Sequence, residues 1–249
     1  MNNLPWKYNN SLYKKTKLNE DNSSHNYKRA FGSFGDSLTY SQSVVIKMGY
    51  KLEKILLEEV KSKGSIIILE DLLTKEKFNS LPSGAYYCTK KAIRNSDYCI
   101  PHTEPDITFI DKRDKTNANF TFIELKLGVN FDTKKSAKEK EKLEANQNLI
   151  ISLGMNSNFY FCSFFGEDLN SVYDGSRISI PRDNLMLGTE LCDLMGIDYS
   201  TVESKITQDI ENNQIEFLNR FTSDAESLDI LLIYLLKNPE IKKKIENWL

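Results

Sequence analysis

The chain has little of the residues that define fibrous or low-complexity proteins, since only 11 of its 249 residues are glycine and 6 are proline. Collagen-like and low-complexity classes are therefore excluded. An excess of basic charge is missing as well: 33 Lys and Arg residues stand against 35 Asp and Glu residues, for a formal net charge of -2. A histone-like protein would be strongly basic, so any contact with nucleic acid must come from local clusters of cations.

Long hydrophobic runs are also missing. The longest apolar stretch, LDILLIYLL, is far shorter than the roughly 20 residues of a membrane span. The N-terminal MNNLPWKYNN has no apolar core typical of a signal peptide. Of the 4 cysteines, Cys162 and Cys192 lie in apolar segments typical of buried side chains. We therefore expect a reduced, cytoplasmic protein with no membrane partner. Without a G-x-x-x-x-G-K segment, no nucleotide cofactor is expected.

Hydrophobic periodicity divides the chain into three parts. Residues 1–36 are polar and predict an N-terminal arm, either a loose tail or a segment that orders on a partner. Residues 37–165 predict a core with a helix over 41–61, strands at 66–69, 106–111 and 120–127, a helix over 134–153 and a strand at 158–165. Residues 166–249 predict a helical part. The expected fold class is α/β, a mixed β-sheet flanked by helices with a helical C-terminal part.

Within the helical part, two patterns are specific enough to predict. AESLDILLIYLLKN contains the longest apolar stretch of the chain and predicts a central helix. Asn238 and Pro239 are typical of a helix start, and the helix that follows would carry an apolar stripe ending at Trp248 and Leu249.

Charged residues interrupt the stretch 100–131, which otherwise reads as two apolar strands joined by a polar loop. Glu124 and Lys126 fall on one face of the second strand, where burying either alone costs on the order of 2 kcal/mol or more. Pro105 suits the first position of a strand, and an antiparallel hairpin would bring Asp106 against Glu124 and Lys126. Two adjacent carboxylates repel unless a cation lies between them, and Mg²⁺ suits such oxygen ligands. A structural salt bridge from Lys126 to either carboxylate is the alternative.

Pro105-Asp106, a hairpin, and then Glu124-Leu125-Lys126 resemble the PD-(D/E)xK motif of the restriction-endonuclease-like nuclease superfamily. Glu-x-Lys also occurs at 59–61 and 240–242, but only the copy at 124–126 lies in a hydrophobic strand after Pro-Asp. Members of the superfamily usually begin with a helix bearing a Glu that faces the site. Glu53 matches that feature, because it falls on the apolar arc of the first predicted helix. An edge Glu that reaches solvent is the alternative.

The resemblance implies a restriction-endonuclease-like fold and a Mg²⁺-dependent DNA endonuclease, with type II restriction enzymes as the subgroup. Asp106 and Glu124 would bind Mg²⁺, with Mn²⁺ as a substitute, and Glu53 would complete or support the metal site. Lys126 would orient or deprotonate the attacking water. The partners implied are double-stranded DNA and a second copy of the chain in a homodimer.

Two alternative functions stay open at this point. One is a repair, recombination or phage nuclease that recognises DNA structure or ends. The other is a non-catalytic DNA-binding module with the same fold.

Two groups of cations are candidates for contact with DNA. One lies on the helix after the motif, where Lys142 extends a stripe of lysines at helical spacing, and the other lies in the Tyr-rich segment before it. Acidic residues interleave with the helical group, so a solvated, salt-bridged face is the alternative. The predicted DNA-binding residues are Lys90, Lys91, Arg94, Lys134, Lys135 and Lys138.

Overall fold

The structure is a computed structural model that describes residues 34–114, 118–177, 179–223 and 225–246. Most of the predicted N-terminal arm lies outside these ranges, as do Trp248 and Leu249 of the predicted C-terminal stripe. Gly35 and Asp36, predicted as the end of the arm, begin the first helix. Among the described helices, none has both the length and the apolar character required to cross a membrane.

The first described helix is long, and the strands that follow it are separated by further helices or loops. The elements up to the last predicted core strand are α1 (Gly35–Lys63), β1 (Ile67–Leu69), α2 (Lys75–Ser80), β2 (Ala85–Cys88), α3 (Lys90–Ile93), β3 (Ile107–Asp111), β4 (Asn119–Lys126), α4 (Thr133–Ser152) and β5 (Asn156–Ser163). The C-terminal part contains α5 (Leu169–Gly175), a 3-10 turn (Arg182–Asn184), β6 (Leu185–Leu187), α6 (Gly188–Met195), α7 (Tyr199–Ser223), α8 (Ala225–Lys237) and α9 (Pro239–Glu246).

Within the described ranges the strands form one mixed six-stranded sheet, in the order β1-β2-β3-β4-β5-β6. The pairs β2–β3 and β3–β4 are antiparallel, whereas β1–β2, β4–β5 and β5–β6 are parallel. The predicted α/β class with a mixed sheet flanked by helices is thus confirmed. The sequence pattern missed β2 and β6: β2 directly follows the turn-forming residues LPSG, and β6 lies in the part of the chain predicted as helical.

The centre of the sheet is buried on both faces. Phe120, Phe122 and Ile123 of β4 have no exposed surface although successive side chains point to opposite faces. A strand that is apolar on both faces is typical of a sheet covered by helices on each side. Leu143 and Ile150 of α4 belong to the same core cluster as Phe120 and Phe122. Helix α4 therefore covers the face that also carries the charged end of β4.

The described residues divide into two compact units. One comprises the residues up to Met48 and those from Thr207 onward, and the other is Gly49–Ile206, which contains the sheet. In the first unit, the predicted start of the last helix is confirmed. Asn238 Oδ1 accepts the backbone N–H groups of Glu240 and Ile241 at 3.2 and 3.3 Å, which is the capping pattern expected at a helix N-terminus.

Helix α8 was expected to be central, and that expectation is wrong. Its Ile233 and Tyr234 side chains are 50% and 59% exposed. Residues 230–236 of this helix are all apolar, so packing one face of that stretch leaves the others at the surface. Helix α8 therefore presents an apolar surface in the single chain.

Candidate active site

The β3–β4 hairpin brings two of the predicted carboxylates to one end of the sheet. Ile107 pairs with Ile123 in the antiparallel ladder, and continuing this register places Asp106 opposite Glu124. The backbone N–H of Leu125 donates to Asp106 Oδ2 at 2.8 Å, which orients that carboxylate. A cleft of about 210 Å³ opens beside the pair, lined by both carboxylates, by the loop that leads into β3 and by helix α4.

Lys126 is held between two carboxylates at the end of β4. Its Nζ donates to Glu124 Oε1 at 2.8 Å and to Glu139 Oε2 of α4 at 2.7 Å. The three side chains are only 12% to 19% exposed, so both ion pairs are shielded from bulk water. The salt bridge considered from the sequence is therefore present between Lys126 and Glu124. Because Glu124 and Glu139 both line the cleft, these pairs border an open space rather than a closed interior.

Asp106 forms its ion pair with Lys90, a residue predicted from the sequence to contact DNA. Lys90 Nζ lies 2.8 Å from Asp106 Oδ1 and 3.0 and 3.1 Å from the two carboxylate oxygens of Glu53. Helix α3 begins at Lys90, and the Thr89 side chain caps it by accepting the Ala92 N–H at 3.2 Å. The hairpin was expected to bring Lys126 to Asp106, but Lys90 occupies that position instead.

Burial and repulsion by Asp106 raise the pKa of two of the carboxyl groups, Glu124 and Glu53. The pKa of Glu124 rises to about 8, because the group is buried and Asp106 repels its negative charge, against the attraction of Lys126. Burial, with repulsion from Asp106, also raises the pKa of Glu53 above its ordinary value. Without a further cation, the cluster therefore favours a proton on Glu124 at neutral pH.

The two lysines stay charged. Burial by itself would lower the pKa of Lys126, but Glu124 and Glu139 outweigh it and the pKa is raised. The same balance holds for Lys90: burial lowers its pKa, but Asp106 and Glu53 together outweigh burial and the pKa is raised overall. Both side chains are therefore fixed ammonium groups within the cluster.

The charges of the cluster do not cancel. When all four carboxyl groups are ionised, four carboxylates surround two ammonium groups, which leaves two negative charges; the members are Glu53, Lys90, Asp106, Glu124, Lys126 and Glu139. Lys135 approaches Glu139 at 3.5 Å but is 71% exposed, where ion pairs contribute little. One divalent cation would match the remaining charge.

The donor set of this site fits Mg²⁺. Within the described ranges, no group of three or more Asp, Glu, His or Cys side chains is arranged to hold a metal ion. Among the carboxylates that line the cleft, Asp106 and Glu124 are neighbours across the hairpin. Mg²⁺ binds through one or two carboxylates and keeps several waters, so two adjacent carboxylates beside an open cleft satisfy its requirements.

The chain is similar to the type II restriction enzyme HhaII of Haemophilus parahaemolyticus. The two sequences are 28% identical over 228 residues, which cover 88% of this chain and 92% of the relative. No protein-family model matches the sequence. No solved structure gives a significant match.

The other cations predicted to contact DNA lie in different settings. Three are exposed side chains: Lys91, Lys134 and Lys138. Arg94 donates from Nε to Glu104 Oε1 at 2.8 Å, so it is already paired at the surface. Lys135 lines the cleft, and Lys142 lines the same wall two helical turns further along α4. Of the predicted stripe, Lys142 borders the cleft, whereas Lys134 and Lys138 are not among the residues that line it.

Sequence reasoning missed two residues of helix α4, Glu139 and Asn146. Asn146 has no exposed surface, and its Oδ1 accepts the Ile100 N–H at 2.9 Å and the Thr103 hydroxyl at 3.0 Å. Its Nδ2 donates to the Thr103 carbonyl at 2.9 Å, so one amide holds the loop that leads into Asp106. Both residues lie at helical spacing on the buried apolar stripe of α4. Polar side chains on such a stripe require buried partners. Their position on the stripe could therefore have identified both residues from the sequence.

Proposed function

We propose that this chain is a Mg²⁺-dependent endonuclease of the PD-(D/E)xK superfamily that cuts double-stranded DNA at specific sequences in the cytoplasm, as a type II restriction enzyme. The observation that carries the proposal is the position of Asp106 opposite Glu124 beside a cleft, with Lys126 paired to Glu124. Similarity to HhaII over 88% of the chain supports DNA as the substrate and sequence specificity as the mode of action.

In this proposal Asp106 and Glu124 hold Mg²⁺, and Mn²⁺ can replace it. When bound, the ion would lower the pKa of a water molecule and stabilise negative charge on the phosphate. Lys126 orients the attacking water and contacts the phosphate. Its ammonium group is held for this role by Glu139, at 2.7 Å.

Glu53 has a supporting role in the same proposal. Its carboxylate holds Lys90, and Lys90 in turn contacts Asp106. Glu53 thereby acts on the metal-binding carboxylate through an ion pair.

The DNA backbone would lie along the wall of the cleft. Lys135 and Lys142 border the carboxylates and can contact phosphates nearest the reacting group. The exposed Lys91, Lys134 and Lys138, together with Arg94, would neutralise phosphates further out. In this proposal, residues 37–165 form the catalytic core, and the helical residues 166–249 supply the surface for contact with a second copy of the chain.

A homodimer would place two active sites on the two strands of DNA. The exposed apolar residues of α8, among them Ile233 and Tyr234, are the surface we assign to this contact, because large exposed apolar patches mark interaction sites. Sedimentation equilibrium should then give twice the chain mass of 28.7 kDa. A monomer at micromolar concentration would remove the dimer from the proposal.

The direct test is digestion of a plasmid of known sequence with and without Mg²⁺. We expect discrete fragments with Mg²⁺, none with EDTA, and loss of at least about 10³-fold in rate for Asp106→Asn, because a metal-binding carboxylate becomes a neutral amide. Asp193→Asn removes the same charge at an exposed position and should cut at the wild-type rate.

Other outcomes discriminate among the functions. A smear, or loss that starts from DNA ends, would identify a structure- or end-specific nuclease. DNA binding without cleavage under any divalent cation would identify a non-catalytic module. Full activity of Asp106→Asn would contradict the assignment of the site.

A further inference from the structure

Lys90 occupies a position that a metal ion would be expected to take. Its ammonium group bridges Asp106 and Glu53 at 2.8 to 3.1 Å, and the Tyr50 ring lies 5.9 Å from it. The Lys90 side chain is 33% exposed, and the two carboxylates are each 20% exposed. Lys90 was predicted to contact DNA, but a half-buried lysine paired with two carboxylates differs from an exposed lysine that is available to bind a phosphate.

The ion pair between Lys90 and Asp106 uses Oδ1, the carboxylate oxygen that the backbone leaves available to a cation. Asp106 Oδ2 already accepts the Leu125 N–H at 2.8 Å, and Oδ1 accepts Lys90 at 2.8 Å. A divalent ion that binds between Asp106 and Glu124 must therefore either share Oδ1 with the ammonium or displace it. In both cases the two cations repel each other at short range.

We infer that Lys90 is a tethered cation that competes with the divalent metal for Asp106, so that the metal-free site is held together by the protein's own ammonium group. This inference rests on the proposed function, because it concerns the same metal site. The neighbouring Lys91 is exposed, and we assign no such competition for Asp106 to it. Displacement from Asp106 would leave the Lys90 ammonium held by Glu53 alone.

The test is the affinity for Mn²⁺ alone, without DNA, measured from the free Mn²⁺ signal in electron paramagnetic resonance. Lys90→Met keeps the length of the side chain and removes its charge. We expect it to lower the Kd for Mn²⁺ by about tenfold or more, since a neighbouring positive charge that opposes binding is lost. Lys91→Met makes the same change of charge one residue away and should leave the Kd within about twofold of wild type.

A second variant separates competition from net charge and covers a failure of the first to fold. Glu53→Gln with Lys90→Met removes one negative and one positive charge, so the cluster keeps its residual charge while Asp106 Oδ1 loses its ammonium partner. Competition predicts that this double variant also binds Mn²⁺ more tightly than wild type. A Kd equal to that of wild type would assign any gain in the single variant to net charge, and would overturn the inference.

The remaining outcomes separate this inference from the proposed function. If the wild type binds Mn²⁺ and cuts DNA, an unchanged or higher Kd for Mn²⁺ in Lys90→Met overturns this inference but leaves the proposed function standing. A wild type that neither binds Mn²⁺ nor cuts DNA overturns both.

Discussion

Replacing Glu124 by Gln is expected to change how the stability of the metal-free protein depends on pH. Burial and the charge of Asp106 raise the pKa of Glu124 from 4.5 to about 8 in the folded protein. Between these two values the folded protein holds one more proton than the unfolded chain, so the free energy of unfolding falls as the pH rises. The stability linked to this group is complete below the unfolded pKa and is lost as the pH rises through the folded pKa.

The size of the effect follows from the proton difference. One full proton changes the free energy of unfolding by about 1.4 kcal/mol for each pH unit. Between about pH 5.5 and pH 7.5 the wild-type protein should therefore lose about 2–3 kcal/mol relative to Glu124→Gln, whose amide does not titrate. Gln retains an acceptor oxygen for Lys126, which lies 2.8 Å from Glu124 Oε1, so the comparison changes little else.

Urea unfolding in EDTA, followed by circular dichroism at several pH values, measures this difference. Glu58→Gln is the matched control, because Glu58 is 56% exposed and pairs only loosely with Lys54 at 3.6 Å. Its difference from wild type should stay nearly constant across the range. A constant difference for Glu124→Gln as well would refute the account in which burial and Asp106 hold a proton on Glu124.

Three further substitutions test buried hydrogen bonds and local packing. Asn146→Leu should cost about 2–4 kcal/mol of unfolding free energy, because it leaves buried groups of the loop before the site unpaired; in urea unfolding, an effect no larger than that of the exposed Asn148→Leu would contradict this role. Gly175→Ala should cost at least about 2 kcal/mol by the same assay, since its new Cβ would lie 2.2 Å from the Val129 carbonyl oxygen. Gly49→Ala should instead stabilise helix α1 by about 0.5–1 kcal/mol, because nothing lies within 4 Å of the new Cβ. A loss of stability in this variant would show that the surroundings of residue 49 are more crowded.

The hairpin at the candidate site was predictable because its geometry is local. Side chains alternate along a strand, and a polar loop between two apolar strands favours antiparallel pairing. The register that places Asp106 opposite Glu124 follows from these two properties. The half-buried position of Glu53, whose side chain is 20% exposed, followed from helical periodicity in the same way.

The partners of the two lysines could not be predicted by these means. Lys90 lies 37 residues from Glu53 in the chain and 16 from Asp106, so their contact depends on how helices α1 and α3 approach the sheet. Lys126 turned toward Glu139 because α4 packs over that face. The exposed surface of α8 is a third case, since an apolar helix is equally consistent with a buried core and with an unoccupied interface.

The sequence by itself determined the α/β class, the hairpin and the carboxylates at its end, because periodicity and turn chemistry act over a few residues. Only the tertiary structure decided which ammonium group faces which carboxylate and which lysines of α4 border the cleft. Those choices depend on the docking of distant elements, where a rotation or shift of one helix exchanges the partners without any change in local pattern.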